Sequence, residues 1–246
     1  MKPEAYYPKL VTIGPLYPNL EPSPINNFKA QCVKKFMERH GISGVGELTQ
    51  YLSHDQADDE LSRIYNLNLP QSDFEWLQLL VTIDTVFIHE FLLFLSKEDP
   101  TTGVCKYFTI FFFNNDFTFR ARLRRDLLLV GNQIPMSYVK KITEIVRNRN
   151  FSLDVLEDTV RKFIVPRIPF ITSKRMLTRF DKFLDSKDRK LVDKCKHLLD
   201  ALYFSCTEMF DDSKRPSERP PASYCEEESH HIPTASELSK AGISFK

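Results

Sequence analysis

Apolar residues return along this chain mostly at helical intervals. Ile25, Phe28, Cys32 and Phe36 share one face of a helix, with Ser23 as N-cap, Pro24 at the first helical position and Gly41 as the stop after His40. A second helical stretch, about 47–66, carries Leu48, Tyr51, Leu52, Leu61, Ile64 and Tyr65. Pro70 separates it from a third, which Ser72 and Glu75 open as a capping box. Trp76 to Leu95 is apolar nearly all round, which predicts a helix at the centre of the domain. Further on, Met136, Val139, Ile142 and Ile145 or Val146 mark the buried face of a helix from Pro135 to about Arg147. Ser152 caps another that runs to Ile164, before Pro166 and Pro169. Ser173 to Leu184 and Lys187 to about Phe210 read as two more. The latter has a stripe of Leu191, Cys195, Leu198, Leu199, Leu202 and Cys206.

Helical periodicity is missing in three places and brief in a fourth. Residues 1–22 hold five prolines and read as an extended segment in which VTIGPLY is a brief strand or turn. Within 100–119, the run KYFTIFFF is aromatic and β-branched, so it reads as a strand or an irregular apolar plug. Residues 211–231 are rich in proline and charge and read as a flexible polar loop. Residues 232–246 predict a short helix, capped by Thr234 and Glu237 with Leu238 inward, then Gly242 and the start of a strand through Phe245. That strand has no partner after it, so the chain reads as ending early. The pattern therefore predicts a mainly α, multi-helix globular domain over 23–210. It has an extended Pro-rich N-terminus and at most one or two short strands.

Composition narrows the chemistry. Among 246 residues there are 20 Phe, one Trp and only seven Gly, which argues against turn-rich β folds and glycine-rich phosphate loops. The 34 basic and 33 acidic residues give no global field for nucleic acid, and none is expected as a partner. Five cysteines without a CxxC spacing describe neither a disulfide framework nor a zinc knuckle. No signal peptide is visible, which reads as cytoplasmic for the chain as written. Trp76 to Leu95 has the length of a membrane span, but Asp84, His89 and Glu90 inside it favour a buried core helix.

Each catalytic template fails. His89-Glu90 would need a second His at position 93, which is Leu. Gly41 to Gly46 follows a helix and lacks the Lys-Ser/Thr pair of a phosphate loop, so it reads as a turn. Cys225, His230 and His231 have no metal-ligand spacing. Arg120, Arg122, Arg124 and Arg125 could meet phosphate, but read better as a solvated face, with Arg125 pairing an internal carboxylate such as Asp84 or Glu90. Asp84 and Glu90 are six residues apart and face different ways, so they are poor partners for acid–base work. No cofactor, metal or small-molecule ligand is indicated.

The most unusual stretch is RDLLLVGNQIPM, Arg125 to Met136. Leu127 to Val130 would be an enclosed helix end, closed by Gly131 in the left-handed conformation. Asn132 and Gln133 would offer amides to the exposed carbonyls, and Pro135 would start the next helix. This is a capped, buried elbow serving architecture.

The stretch also resembles RDLLLLENQIP, the signature of the plant domain-of-unknown-function family 247, also called uncharacterised protein family 481. The matching positions include Arg125, Asp126, Leu127, Leu128, Asn132, Gln133, Ile134 and Pro135. YYPKLVTIGPLY resembles the opening Y-x-P-x-x-V-S-I-G-P-x-H, through Tyr7, Pro8, Ile13, Gly14 and Pro15. IDTVFIHEFLL resembles D-x-C-F-I-x-E-L, with Asp84 and Glu90 at its acids. TASELSKAGISFK resembles S-A-T-E-L-x-x-A-G-V-x-F, through Glu237, Leu238, Gly242 and Phe245. Gly131 stands where the signature has Glu, and Tyr17 where the opening has His.

The resemblance implies a mostly helical land-plant protein without established enzymatic activity. Its relatives continue into a C-terminal half, usually ending in a membrane-anchoring helix, and some are associated with self-incompatibility recognition in grasses. The expectation is a non-enzymatic protein–protein interaction module, truncated relative to its family, with a protein partner of unknown identity. The alternatives are an enzyme of unrecognised type using a buried Asp84/Glu90/Arg125 cluster, or a non-functional truncated paralogue.

Overall fold

A computed structural model describes residues 7–17, 24–53, 61, 63, 65, 71–96, 108, 118–146, 152–165 and 191–209. All belong to one compact unit, residues 1–210. Expectations for Ser23, Ile64, residues 173–184 and residues 211–246, including Glu237, Leu238, Gly242 and Phe245, lie outside the described residues.

Eight helices have described bounds: α1 Pro24–His40, α2 Val45–Leu52, α3 Gln71–Ser96, α4 Thr118–Asp126, α5 Met136–Val146, α6 Leu153–Ile164, α7 Leu191–Lys194 and α8 Leu198–Met209. No strand occurs among the described residues, so the fold is mainly α. The helix α1 buries Ile25, Phe28, Cys32, Val33 and Phe36. It ends at Gly41, whose φ is 67°, and Ile42 N donates to Met37 O at 3.0 Å, closing the helix in a Schellman turn. At α6 the Ser152 hydroxyl accepts from Val155 N, as its position predicts.

The axis of the molecule is α3, against which α1, α2, α5 and α6 pack. Every residue from Val81 to Phe94 is buried except Ile83. By length and composition this helix could cross a membrane; here most of its apolar stretch is buried among its neighbours. Its first turns are more open than the all-round apolar pattern predicts, for Trp76 and Leu79 are exposed. It begins at Gln71, so Ser72 lies within its first turn.

Three further expectations are corrected. Phe108, the described residue of the aromatic run, is helical, so no strand passes through it. Its ring is buried between Phe28 (4.9 Å), Phe94 (5.3 Å), Phe91 (6.1 Å) and Phe87 (6.2 Å). Tyr51 does not join the core: it is exposed and its hydroxyl donates to Glu47 at 3.0 Å. The helix expected over 187–210 is broken at Cys195–His197. Lys196 O, which a continuous helix would offer to Asp200 N, accepts from Met136 N at 2.7 Å. Asp200 N instead donates to His197 Nδ1 at 3.0 Å, and Leu199 N to Gln133 Oε1 at 3.1 Å. A tertiary contact thus replaces local bonds and starts a new helix. On α5 the open choice falls to Val146, which packs on the core while Ile145 is exposed.

Because Phe108 joins four other phenylalanines, Phe108→Ala should cost about 3–5 kcal/mol of unfolding free energy in urea denaturation. A change below about 1 kcal/mol would mean that the ring does not organise this core.

Candidate functional site

Residues 7–17 form a strap without regular structure that crosses the helical body, burying Pro8, Val11, Ile13 and Gly14. An extended segment cannot satisfy its own N–H and C=O groups, and burying them unpaired is costly. Here side chains from distant helices supply the partners. Asp126, the last residue of α4, accepts at Oδ2 from three successive strap amides, Lys9 N (2.9 Å), Leu10 N (2.6 Å) and Val11 N (3.2 Å). Its Oδ1 meets Arg125 Nη1 at 2.8 Å, and Arg125 also donates to Tyr7 O.

Asn132 spends its whole amide. Oδ1 accepts from Ile13 N at 2.5 Å, while Nδ2 donates to Val11 O (3.0 Å) and Asp126 O (2.8 Å). From α3, Asp84 Oδ2 accepts from Gly14 N at 2.8 Å and Oδ1 meets Lys29 Nζ of α1 at 2.5 Å. Lys29 also donates to Thr12 O. Gly14 sits with φ at 72°, and a Cβ there would lie 2.9 Å from Tyr65 Oη, so both backbone and space require glycine.

Gln133 works on the other side of the elbow. Its Nε2 donates to Leu127 O (2.9 Å) and Leu129 O (2.6 Å), its Oε1 caps α8, and its carbonyl accepts from Tyr65 Oη at 2.7 Å. Ile134 is buried, and Pro135 stands just before α5, where its carbonyl accepts from Tyr138 N. The elbow is less enclosed than predicted. Leu127 is buried and Leu128 half-buried, but Val130 is exposed at the tip. Gly131 is not left-handed; its role is proximity, for a Cβ there would lie 2.6 Å from Tyr17 Oη. The two positions that depart from the family patterns, Tyr17 and Gly131, are therefore in contact.

Arg125 does not pair with Asp84 or Glu90, and the supposed three-residue cluster does not form. Glu90 meets Arg39 Nη2 at 2.6 Å and His89 Nδ1 at 3.3 Å. Burial works to raise the Glu90 carboxyl, but His89 and Arg39 outweigh it and hold the group below the ordinary 4.5. Burial pushes the Asp84 carboxyl up, against the opposing pull of Lys29 and Gly14 N–H. Burial, then Arg39, draws His40 from 6.5 down to about 4. The thiols of Cys32 and Cys195 are raised by burial, the latter to about 12, which leaves neither a ready nucleophile. No group of three or more metal-ligating side chains occurs among the described residues.

Sequence reasoning missed Lys29, Tyr65 and Arg39 as members of these networks. Lys29 had a signal: it lies on the same α1 face as Ile25, Phe28, Cys32 and Val33, where a lysine needs a buried partner. Arg39 and Tyr65 had none, since their partners are far away in the chain.

The geometry defines a mainly α protein whose extended N-terminal strap is held along its backbone by buried side chains. The elements involved carry three of the four matched motifs. The profile of DUF247, a plant protein family of unknown function, matches residues 1–246, and the chain belongs to that family. Searches of curated proteins and of solved structures find no significant match.

Two outcomes follow. Asn132→Leu strands Ile13 N, Val11 O and Asp126 O, and should destabilise by at least about 1–3 kcal/mol in thermal or urea unfolding. An unchanged melt would mean the amide does not hold the strap. Acidification should also destabilise. His40 is held neutral in the fold, so its contribution is complete above pH 6.5 and is lost as pH falls toward about 4. Glu90, with its lowered value, adds a loss below its ordinary 4.5. Melting temperatures across this range should fall less steeply in His40→Gln; identical slopes would exclude His40 as the source.

Proposed function

We propose that this plant protein is a non-enzymatic recognition module for a protein partner. The observation that carries the reading is the use made of its buried ionisable groups. Asp84 pairs with Lys29, Glu90 with Arg39, and Arg125 with Asp126, so these groups sit in three separate pairings. A catalytic site needs such groups to converge on one reacting centre. The balanced charge favours a protein over nucleic acid, and no cofactor is part of the proposal.

The surface along the strap and the elbow suits such a partner. Tyr7 is 54% exposed, Leu16 47% and Val130 81%. Tyr7 packs edge-on against Tyr17, with ring centroids 5.9 Å apart, and Tyr17 lies against Gly131 next to Val130. Exposed aromatic side chains are common anchors of protein interfaces, and Leu16 and Val130 add apolar surface near them.

Proximity labelling in plant cells should give a set of neighbours for the unaltered chain that is lost in a Tyr7→Ser/Val130→Asp variant of unchanged circular dichroism. The same neighbours in both, or none above a background control, would count against the recognition reading.

A further inference from the structure

Between α1, the start of α3 and the strap lies a groove of about 390 Å³, within the range of small-molecule sites. Its walls are mostly apolar: Ala30, Val33 and Met37 from α1, and Trp76, Leu80 and Ile83 from α3. The polar groups that reach it are unequal in kind. Asp84 is its single acid, and each carboxylate oxygen already accepts a hydrogen bond, from Lys29 and from Gly14 N. The donors are not all taken. Lys29 lies in the floor with its side chain only 7% exposed. Among the described residues its ammonium finds two acceptors, Thr12 O and Asp84 Oδ1, and an ammonium carries three hydrogens. Asn26, three residues before Lys29, and Lys34, five residues after it, add an amide and a second cation from α1.

An apolar trough with surplus donors and a spare ammonium hydrogen asks for a guest that brings acceptors. The geometry points to a binding site for an organic acid, a carboxylate on an apolar body. The head meets Lys29, Lys34 and Asn26, and the body lies along Val33, Met37, Ile83 and Trp76. A cation is disfavoured because Lys29 and Lys34 outnumber the one acid in the lining. A neutral apolar guest would leave the spare Lys29 donor unanswered.

Trp76, the chain's single tryptophan, is 51% exposed at the lip and therefore reports occupancy directly. The probe is decanoate, titrated into the full chain with tryptophan emission and calorimetry as readouts. Decanol, decyltrimethylammonium and an acetylated leucine-rich hexapeptide serve as comparisons. Decanoate should shift the emission to shorter wavelength and saturate, with decanol about tenfold weaker for want of the charge-assisted bonds. Lys34→Gln, at an exposed position, should weaken decanoate while leaving the melting temperature unchanged. Ala30→Phe, also at an exposed position, should fill the trough and abolish the calorimetric signal. Lys29 is left intact because it also holds the strap. The proposal is overturned if decanoate produces no saturable response, or if decanol or the ammonium binds equally well. It is also overturned if only the peptide binds, or if Ala30→Phe binds decanoate normally.

Discussion

The fold rests on the pairing of strap backbone with helix side chains. Five strap amides, of Lys9, Leu10, Val11, Ile13 and Gly14, end on Asp126, Asn132 and Asp84. Three strap carbonyls, of Tyr7, Val11 and Thr12, end on Arg125, Asn132 and Lys29. A sheet would satisfy such groups with a neighbouring strand. Here that work falls to charged and amide side chains, buried ones among them. Their burial is tolerable because each finds charge-assisted or fully used hydrogen bonds.

The same constraint orders the rest of the chain. Asn132 ties the strap to the end of α4, and its neighbour Gln133 ties the elbow carbonyls to the start of α8. Met136 N then takes Lys196 O and sets the break between α7 and α8. Glu157 of α6 accepts from Leu191 N and Val192 N, both at 2.8 Å, and caps α7. Helix ends that would otherwise leave N–H groups unpaired are closed by side chains from elsewhere in the chain, so entry angles are set by polar contacts as well as by packing.

What was legible in the sequence was local. Pro24, His40 and Gly41 set α1, and Ser152 set the start of α6, because caps act within one turn. The apolar run of α3 announced a central helix because burial on all sides leaves no polar stripe. The carbonyl-capping role of Asn132 and Gln133 was readable from their place after an apolar run. What was not legible depends on partners far along the chain. Asp126 looks like any acid at a helix end, and its three amides lie more than a hundred residues away. Arg125 was assigned the wrong carboxylate for the same reason. The bend at Cys195–His197 was hidden because the stripe of Leu191, Cys195, Leu198 and Leu202 continues in phase across it. The open groove was hidden too, since Trp76 and Leu80 look like core residues in an apolar run.

The manner in which Asp126 and Asn132 hold the strap has an evolutionary consequence. They grasp peptide groups, which every residue type except proline offers alike, and leave outward positions such as Lys9 and Leu16 unconstrained. Variation can therefore accumulate on the outer side of the strap without loosening its seat. The gripping residues and Gly14 have no such freedom. A lineage could diversify this surface rapidly while its scaffold stood still.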